Sequence, residues 1–443
     1  MTVHPLARAP SGTPDAALAS VLRAVDAARD DLVAFVQRLV RIPSLPGREH
    51  DAHRLVADRL RGLGLAVEIV PCETEPLASH PAYSDDGLSQ GEPRINVVAR
   101  WSGAGHPAGR AAGRSLILNG HLDVVSPGNE AMWQESPWSG RVEGGRILGR
   151  GACDMKAGVA CAVFAVAALR AAGLRLAADL LVETVSGEES GGIGTLTTIV
   201  KGYTADAAIV LEPTRMRICP VQSGALTFRL RVRGRSTHAC MKSRGVSAIE
   251  KACYLLSAIE ALDRRRHGAG RHPLYEDPRN VAPISIGTIR GGDWHSTVPN
   301  EAVLEGRLGV FPGESIAEAK AALLAAIAAA ADGDPWLSAT RPEVEWFEGQ
   351  FEAAETPLDA PLLSVLGASH RAVAGEAPAL AGVTYGSDLR FFTNHLKIPA
   401  VLYGPGDVAD AHTVNESVAI DDVVLATKVI AHAIVSWCGV EVA

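Results

Sequence analysis

Five short stretches of this chain carry side chains of the kind that bind metal ions. They are Gly120-His121-Leu122-Asp123, Gly151-Ala152-Cys153-Asp154-Met155-Lys156, Gly187-Glu188-Glu189-Ser190, Leu211-Glu212-Pro213-Thr214 and Ala411-His412-Thr413. Each His, Asp or Glu stands at the end of an apolar, strand-like run or in the turn that follows it. The first four recur at about 30 residues, the pitch of successive strand–helix units, and open α/β sheets build their sites where strands end. Brought together there, His121, Asp154, Glu189, Glu212 and His412 offer nitrogen and oxygen ligands for two divalent cations. Their three negative charges balance two such ions plus one bridging hydroxide, so the cluster can be partly buried without a large unpaired charge. The chemistry of such a cluster is the activation of water for hydrolysis.

Each residue also has a plainer reading when taken alone. His121 and Asp123 are two apart, which on a strand puts both on one face. Asp123 could then orient His121 through its second ring nitrogen, or simply cap the strand end. Asp154 stands where a helix is expected to begin, a common place for an N-cap Asp; as a ligand, its two oxygens could bridge cations ~3.5–4 Å apart. Glu188 and Glu189 form either a solvated acidic turn or a division of labour, in which one acid binds metal and its neighbour holds the proton of a bound water. Glu212 and His412 say little singly.

Taken together and in order, the stretches resemble the M20 family of metallopeptidases and deacylases. Gly-His-x-Asp, Gly-Arg-Gly-x-x-Asp-Met-Lys-x-Gly, Glu-Glu-x-Gly-Gly, Glu-Pro-Thr and Ala-His-Thr-x-Asn-Glu appear in family order, from about residue 30 to the C-terminus. The resemblance implies that His121, Asp154 and Glu212 hold one metal and that Asp154, Glu189 and His412 hold the other, with Asp154 bridging. It implies Asp123 as the group that orients His121 and Glu188 as general base and acid. The family's metals are usually zinc, sometimes cobalt or manganese, and an all-nitrogen-and-oxygen ligand set does not choose among them. Gly234-Arg235-Ser236-Thr237-His238-Ala239 resembles the family's lid histidine motif, which makes His238 the candidate oxyanion donor, reaching the active site of a partner in a homodimer formed through the lid. Asn300, in Val298-Pro299-Asn300-Glu301, matches a substrate-side position of the lid. Gly386-Ser387-Asp388-Leu389-Arg390-Phe391 resembles a Ser-Asp-Gly-Arg-Phe stretch whose Arg pairs with a substrate carboxylate, a task suited to a guanidinium; Leu389 departs from the family's Gly. In this family Glu at position 212 goes with deacylases and carboxypeptidases. The expected activity is therefore removal of the acyl group from an N-acyl amino acid, of the acetylornithine deacetylase or desuccinylase type, with a carboxypeptidase or dipeptidase as the alternative.

The elements that must position these residues are visible as periodicities. Residues 15–41 place apolar residues at helical spacing and 48–63 form a second helix. Residues 65–70, 94–101, 115–125, 180–185 and 207–211 read as strands, and Lys156 to Ala172 as an Ala-rich helix. Loops are expected over 73–93 and 103–114. Near 220 the pattern changes: Leu226, Phe228, Leu230 and Val232 alternate with Thr227, Arg229, Arg231 and Arg233, a strand with one buried and one wet face. The expected fold is α/β: a mostly parallel-sheet di-metal hydrolase domain, residues 1–216 and 349–443, with a smaller α+β lid and dimerisation domain, 217–348, inserted. At 443 residues the chain is long enough for two cores. A net charge of −8 argues against a nucleic-acid partner. The seven cysteines are scattered, without CxxC pairs, which suits a reducing compartment. No apolar run reaches the ~18 residues of a membrane span, and a cytoplasmic protein is expected. The basic loop Arg264-Arg265-Arg266-His267 reads as solvated lid surface.

Overall fold

The computed structural model describes residues 14–84, 87, 94–104, 113–269 and 272–441. The expected loops at 73–93 and 103–114 fall partly outside these residues. The chain divides into two compact units. The first comprises Met1–Pro220, Thr356–Ala381 and Phe391–Ala443; the second comprises Val221–Glu355 and Gly382–Arg390.

The first unit is built on one sheet. Its centre is four parallel strands in the order Leu180–Val185, Leu116–His121, Ala208–Val210 and Ala400–Leu402. Antiparallel strands extend it on both sides: Ile95–Trp101 and then Ala66–Pro71 next to Leu180–Val185, and Ile218–Gln222 next to Ala400–Leu402. Parallel pairing is thus confined to the centre, where the connections are long enough to carry crossovers. The central strands Leu116–His121 and Leu180–Val185 are buried along their whole length, which is why they read as continuous apolar runs rather than alternating ones. Helix Ala157–Ala171 has twelve buried residues of its fifteen. It is apolar on every side because it packs against Pro14–Ala27, Arg29–Val40 and Ile420–Cys438.

The second unit is a four-stranded antiparallel sheet in the order Ile284–Gly291, Glu301–Val310, Gly224–Arg233, Glu343–Phe351. Leu226, Phe228, Leu230 and Val232 are fully buried against the helices Ala248–Ala269 and Ile316–Asp332. Each such side chain contributes about 1.5–3 kcal/mol by burial. The opposite face carries Arg229, Arg231 and Arg233, which pair across strands with Glu305 and Glu345, Glu301, and Glu343. The alternation seen in the sequence is therefore a core face and a charge ladder. Helix Ile316–Asp332 starts at a capping box between Ser315 and Glu318.

The sequence pattern places the change of architecture at 217 and 348; the units change at 221 and 355, and a further segment, Gly382–Arg390, packs with the second unit. That segment is tied in by Gln222, whose Nε2 donates to the Ser387 carbonyl at 3.1 Å. Tyr275 also holds it, donating its hydroxyl to the Val383 carbonyl at 3.0 Å. Such long-range bonds leave no local signature in a sequence.

Candidate metal centre

The central strands bring the site together by register. His121 ends its strand opposite Val185, and Asn119 of the same strand lies opposite Val210. The chain leaving Val185 reaches Glu188 and Glu189 within four residues, and the chain leaving Val210 reaches Glu212 within two. Strand Ala400–Leu402, parallel to Ala208–Val210, leads into the loop that carries His412. Two glycines permit close packing of the Glu212 strand end. A Cβ on Gly158 would sit 2.1 Å from the Leu211 carbonyl oxygen, and one on Gly404 would sit 2.6 Å from the carbonyl oxygens of Leu211 and Glu212.

All five expected ligands converge. His121 Nε2 lies 3.1 Å from Asp154 Oδ1 and 4.0 Å from Glu212 Oε1. His412 Nε2 lies 3.5 Å from Asp154 Oδ2 and 3.0 Å from Glu189 Oε1. The two oxygens of Asp154 thus face two different histidines, the arrangement a bridging carboxylate requires. Two donors each about 2.1 Å from one tetrahedral zinc lie roughly 3.4 Å apart, and the observed separations straddle that spacing. The donor set fits two divalent cations. His412 holds a left-handed backbone, φ 60°, an uncommon conformation for a non-glycine residue. His121 Nδ1 lies 2.9 Å from the Asp123 carbonyl oxygen, so that nitrogen carries a proton and Nε2 is the atom left to face the cluster, where a metal would take the place of its proton.

Asp123 and Asp154 differ in detail from the sequence expectation. The strand ends at His121, so Asp123 lies beyond it and the same-face argument does not apply. Its backbone carbonyl, not its carboxylate, makes the 2.9 Å contact with His121; the carboxylate Oδ1 is 3.7 Å from Nδ1. The carboxylate instead accepts the backbone N–H groups of Glu188 at 3.1 Å and Glu189 at 3.0 Å. Asp154 is not a helix cap. Its backbone is extended, φ −115° and ψ 101°, in the turn before helix Ala157–Ala171, which releases its side chain for the cluster. The Asp154–Met155 peptide is cis. A carboxylate oxygen of Glu188 lies within 4.8 Å of ligand atoms of both His121 and Glu212, close to the first group of ligands and almost completely buried.

The electrostatics are those of a cation site. Hydrogen bonds to Asp154 and Glu189 push His412 up to about 10. For His121, burial alone would disfavour the charge, but Asp154, Asp123 and Glu212 outweigh it and hold the ring well above its usual range. Burial likewise works to raise Asp154, yet the two imidazoles hold it below the usual carboxylate range. Glu189 is raised, by burial and then by the charge of Asp154. The negative field that draws protons onto both histidines would equally attract divalent ions.

The remaining three expected residues belong to the second unit. His238 is exposed at the end of the two-residue strand Thr237–His238, paired with Thr297–Val298. Its Nδ1 accepts the Cys240 N–H at 3.2 Å, which leaves the proton on Nε2 as a hydrogen-bond donor. Asn300 is exposed in a neighbouring turn, its carbonyl accepting the Gly234 N–H at 2.7 Å. Arg390 is fully buried, its guanidinium 4.3 Å from the Phe351 ring centre and Nη1 donating to the Ser387 carbonyl at 3.3 Å.

Two residues beside the ligands were given no role by the sequence reading: Arg150 and Glu416, which form a buried ion pair of 2.6 Å. Both lie inside the quoted motifs, but nothing in their spacing announces that they meet. Lys156 is a third: fully buried, it donates Nζ to the carbonyls of Leu39 and Ile42 and so fastens the end of helix Arg29–Val40 to the Asp154 turn. Burial lowers it to about 7.

The sequence profile of peptidase family M20/M25/M40 matches residues 117–436. N-formyl-4-amino-5-aminomethyl-2-methylpyrimidine deformylase of Bacillus subtilis (strain 168) is 30% identical over 449 aligned residues, covering 96% of this chain and 99% of that protein. Acetylornithine deacetylase of Myxococcus xanthus is 31% identical, covering 82% and 88%. Among solved structures, a dinuclear metal-binding M20 peptidase of Bacillus subtilis superposes with a TM-score of 0.62 at 17% identity, covering 93% of this chain and 98% of that one. The chain therefore belongs to the M20 family and is an amide hydrolase of that family.

Proposed function

We propose that this protein is a two-metal deacylase that removes a small acyl group from a primary amine. The observation that carries the reading is the pairing of Asp154's two oxygens with His121 and His412, with the Glu188 carboxylate beside the first group. His121, Asp154 and Glu212 would hold one ion, and Asp154, Glu189 and His412 the other. Zinc is the proposed metal. When bound, two such ions lower the pKa of water toward ~7 and polarise the acyl carbonyl. Glu188 takes the proton of the attacking water and returns it to the leaving amine. Asp123 holds the Glu188–Glu189 backbone still while this happens. His238, supplied by the second copy of a homodimer, donates Nε2–H to the developing oxyanion. Exposed Ile289 and Trp294 on and beside the edge strand Ile284–Gly291 support a dimer through the second unit. Cysteines unpaired throughout the chain support a cytoplasmic location.

The relative named for a formylated aminomethylpyrimidine matches nearly end to end, so formyl on an aminomethyl group is the first acyl amine to test. An N-acyl amino acid is the second, favoured by the acetylornithine deacetylase likeness, with Arg390 pairing with its carboxylate and Asn300 on the substrate side of the second unit; a dipeptide is the third. The test follows amine release from N-formyl aminomethylpyrimidine, N-acetyl and N-succinyl amino acids and dipeptides by metal-free protein titrated with zinc. Activity should return near two zinc ions per chain and vanish in Glu188→Ala, which should still bind both. Turnover of dipeptides alone would overturn the deacylase reading, and failure to bind zinc would overturn the two-metal one.

A further inference from the structure

Glu416 lies four residues past His412 and is 1% exposed. Its Oε1 accepts the backbone N–H groups of Cys153 at 2.9 Å and Asp154 at 3.1 Å. Its Oε2 accepts Arg150 Nη1 at 2.6 Å, and its backbone carbonyl accepts the Gly149 N–H at 2.8 Å. Arg150 in turn lies 5.2 Å over the Trp133 ring. One residue therefore joins the turn that carries Asp154 to the loop that carries His412.

We propose that Glu416 is a positioning residue that couples the two cation sites, fixing Asp154 and His412 relative to each other. The argument rests on the two-metal reading above. A buried ion pair contributes little to stability beyond an apolar replacement, so its value here lies in geometry. The backbone N–H of Asp154 is held by Glu416, which fixes the direction in which its side chain leaves the turn. The side chain of His412 is 51% exposed, so burial does little to hold it, and its loop depends on anchors such as Glu416. Glu189 and the His121–Glu212 pair are set by strand ends that Glu416 does not touch. Its loss should therefore loosen the site of Asp154, Glu189 and His412 more than the site of His121, Asp154 and Glu212.

The experiment is calorimetric titration of the metal-free, full-length protein with zinc. In the variant Arg150→Met/Glu416→Leu, which removes both buried charges, one of the two zinc ions should bind about tenfold or more weakly, while the other stays within about threefold of its affinity in the unaltered protein. Glu416→Gln keeps an acceptor for the two N–H groups and should fall between. If the double variant does not fold, Glu416→Gln decides alone, one zinc affinity weakened and the other unchanged. Two zinc affinities unchanged in the folded variant, with only the melting temperature lowered, would overturn the coupling and leave the two-metal reading intact. Equal weakening at both sites would overturn it too. Fewer than two zinc ions on the unaltered protein would instead remove the two-metal reading and the coupling with it.

Discussion

Asp123 shows how much one carboxylate can organise. Its oxygens accept the N–H groups of Glu188 and Glu189, while its own carbonyl sets the tautomer of His121. In Asp123→Asn one acceptor becomes an NH2 group facing a backbone N–H, and the Glu188 turn must shift. The expected outcome is a kcat reduced about 10- to 100-fold with two zinc ions still bound, read by single-turnover kinetics beside metal analysis. Zinc lost in proportion to activity would instead place the role of Asp123 at His121. The five candidate ligands that the structure brings together could be picked out in the sequence through the M20-like motifs that carry them, where apolar runs stop. The route by which Asp123 acts could not, because it depends on a strand ending at His121, four residues earlier than the hydrophobic run suggests. The same holds for Arg150 and Glu416, which are 266 positions apart in the chain: their meeting is a fact of tertiary structure.

At the level of elements, the apolar helix Ala157–Ala171 and the strand end at Leu211 are brought together through Gly158. A methyl group there meets a carbonyl oxygen of the backbone, not a flexible side chain, so the helix and the Glu212 turn must move apart. Gly158→Ala should cost about 1–3 kcal/mol and weaken zinc binding through Glu212, whereas Gly144→Ala, with open space around it, should leave zinc binding alone. Melting curves with and without zinc separate the two effects, and a Gly158→Ala protein with unaltered zinc affinity would show that Glu212 is positioned independently of the helix. Strands and helices at the centre of the first unit were readable because burial on both faces makes them uniformly apolar. The antiparallel edges were less so, since pairing direction is decided by connections rather than by side chains.

For the whole molecule, acid sensitivity is set partly by a residue far from solvent. His53 is fully buried between Thr184 and Ser186, with ring nitrogens 2.9 Å from each hydroxyl, and burial lowers it from 6.5 to about 3. Above pH 6.5 the ring is neutral folded and unfolded, and contributes no pH dependence. Between about 6.5 and 3 only the unfolded chain takes up the proton, so stability falls with falling pH by about 1.4 kcal/mol per unit from this group. His53→Gln should lose about 1–2 kcal/mol at pH 7.5 through its hydrogen bonds, yet fall less steeply on acidification and overtake the unaltered protein near pH 5. Urea unfolding at pH 7.5, 6 and 5 checks this; parallel slopes would assign the acid sensitivity elsewhere. The division into units could be read only roughly from the change in periodicity, because Gly382–Arg390 joins the second unit through Gln222 and Tyr275 and not through any pattern of its own. That interleaving has a consequence for how the protein is made. Domains usually fold in turn as they leave the ribosome. Here the second unit cannot close until residue 390 has been synthesised, and the first unit waits for the helix Ile420–Cys438 that packs on Ala157–Ala171. Both halves therefore complete their folding almost together, once residues 390 to 438 have been made, with the candidate ligand His121 in place long before His412 arrives.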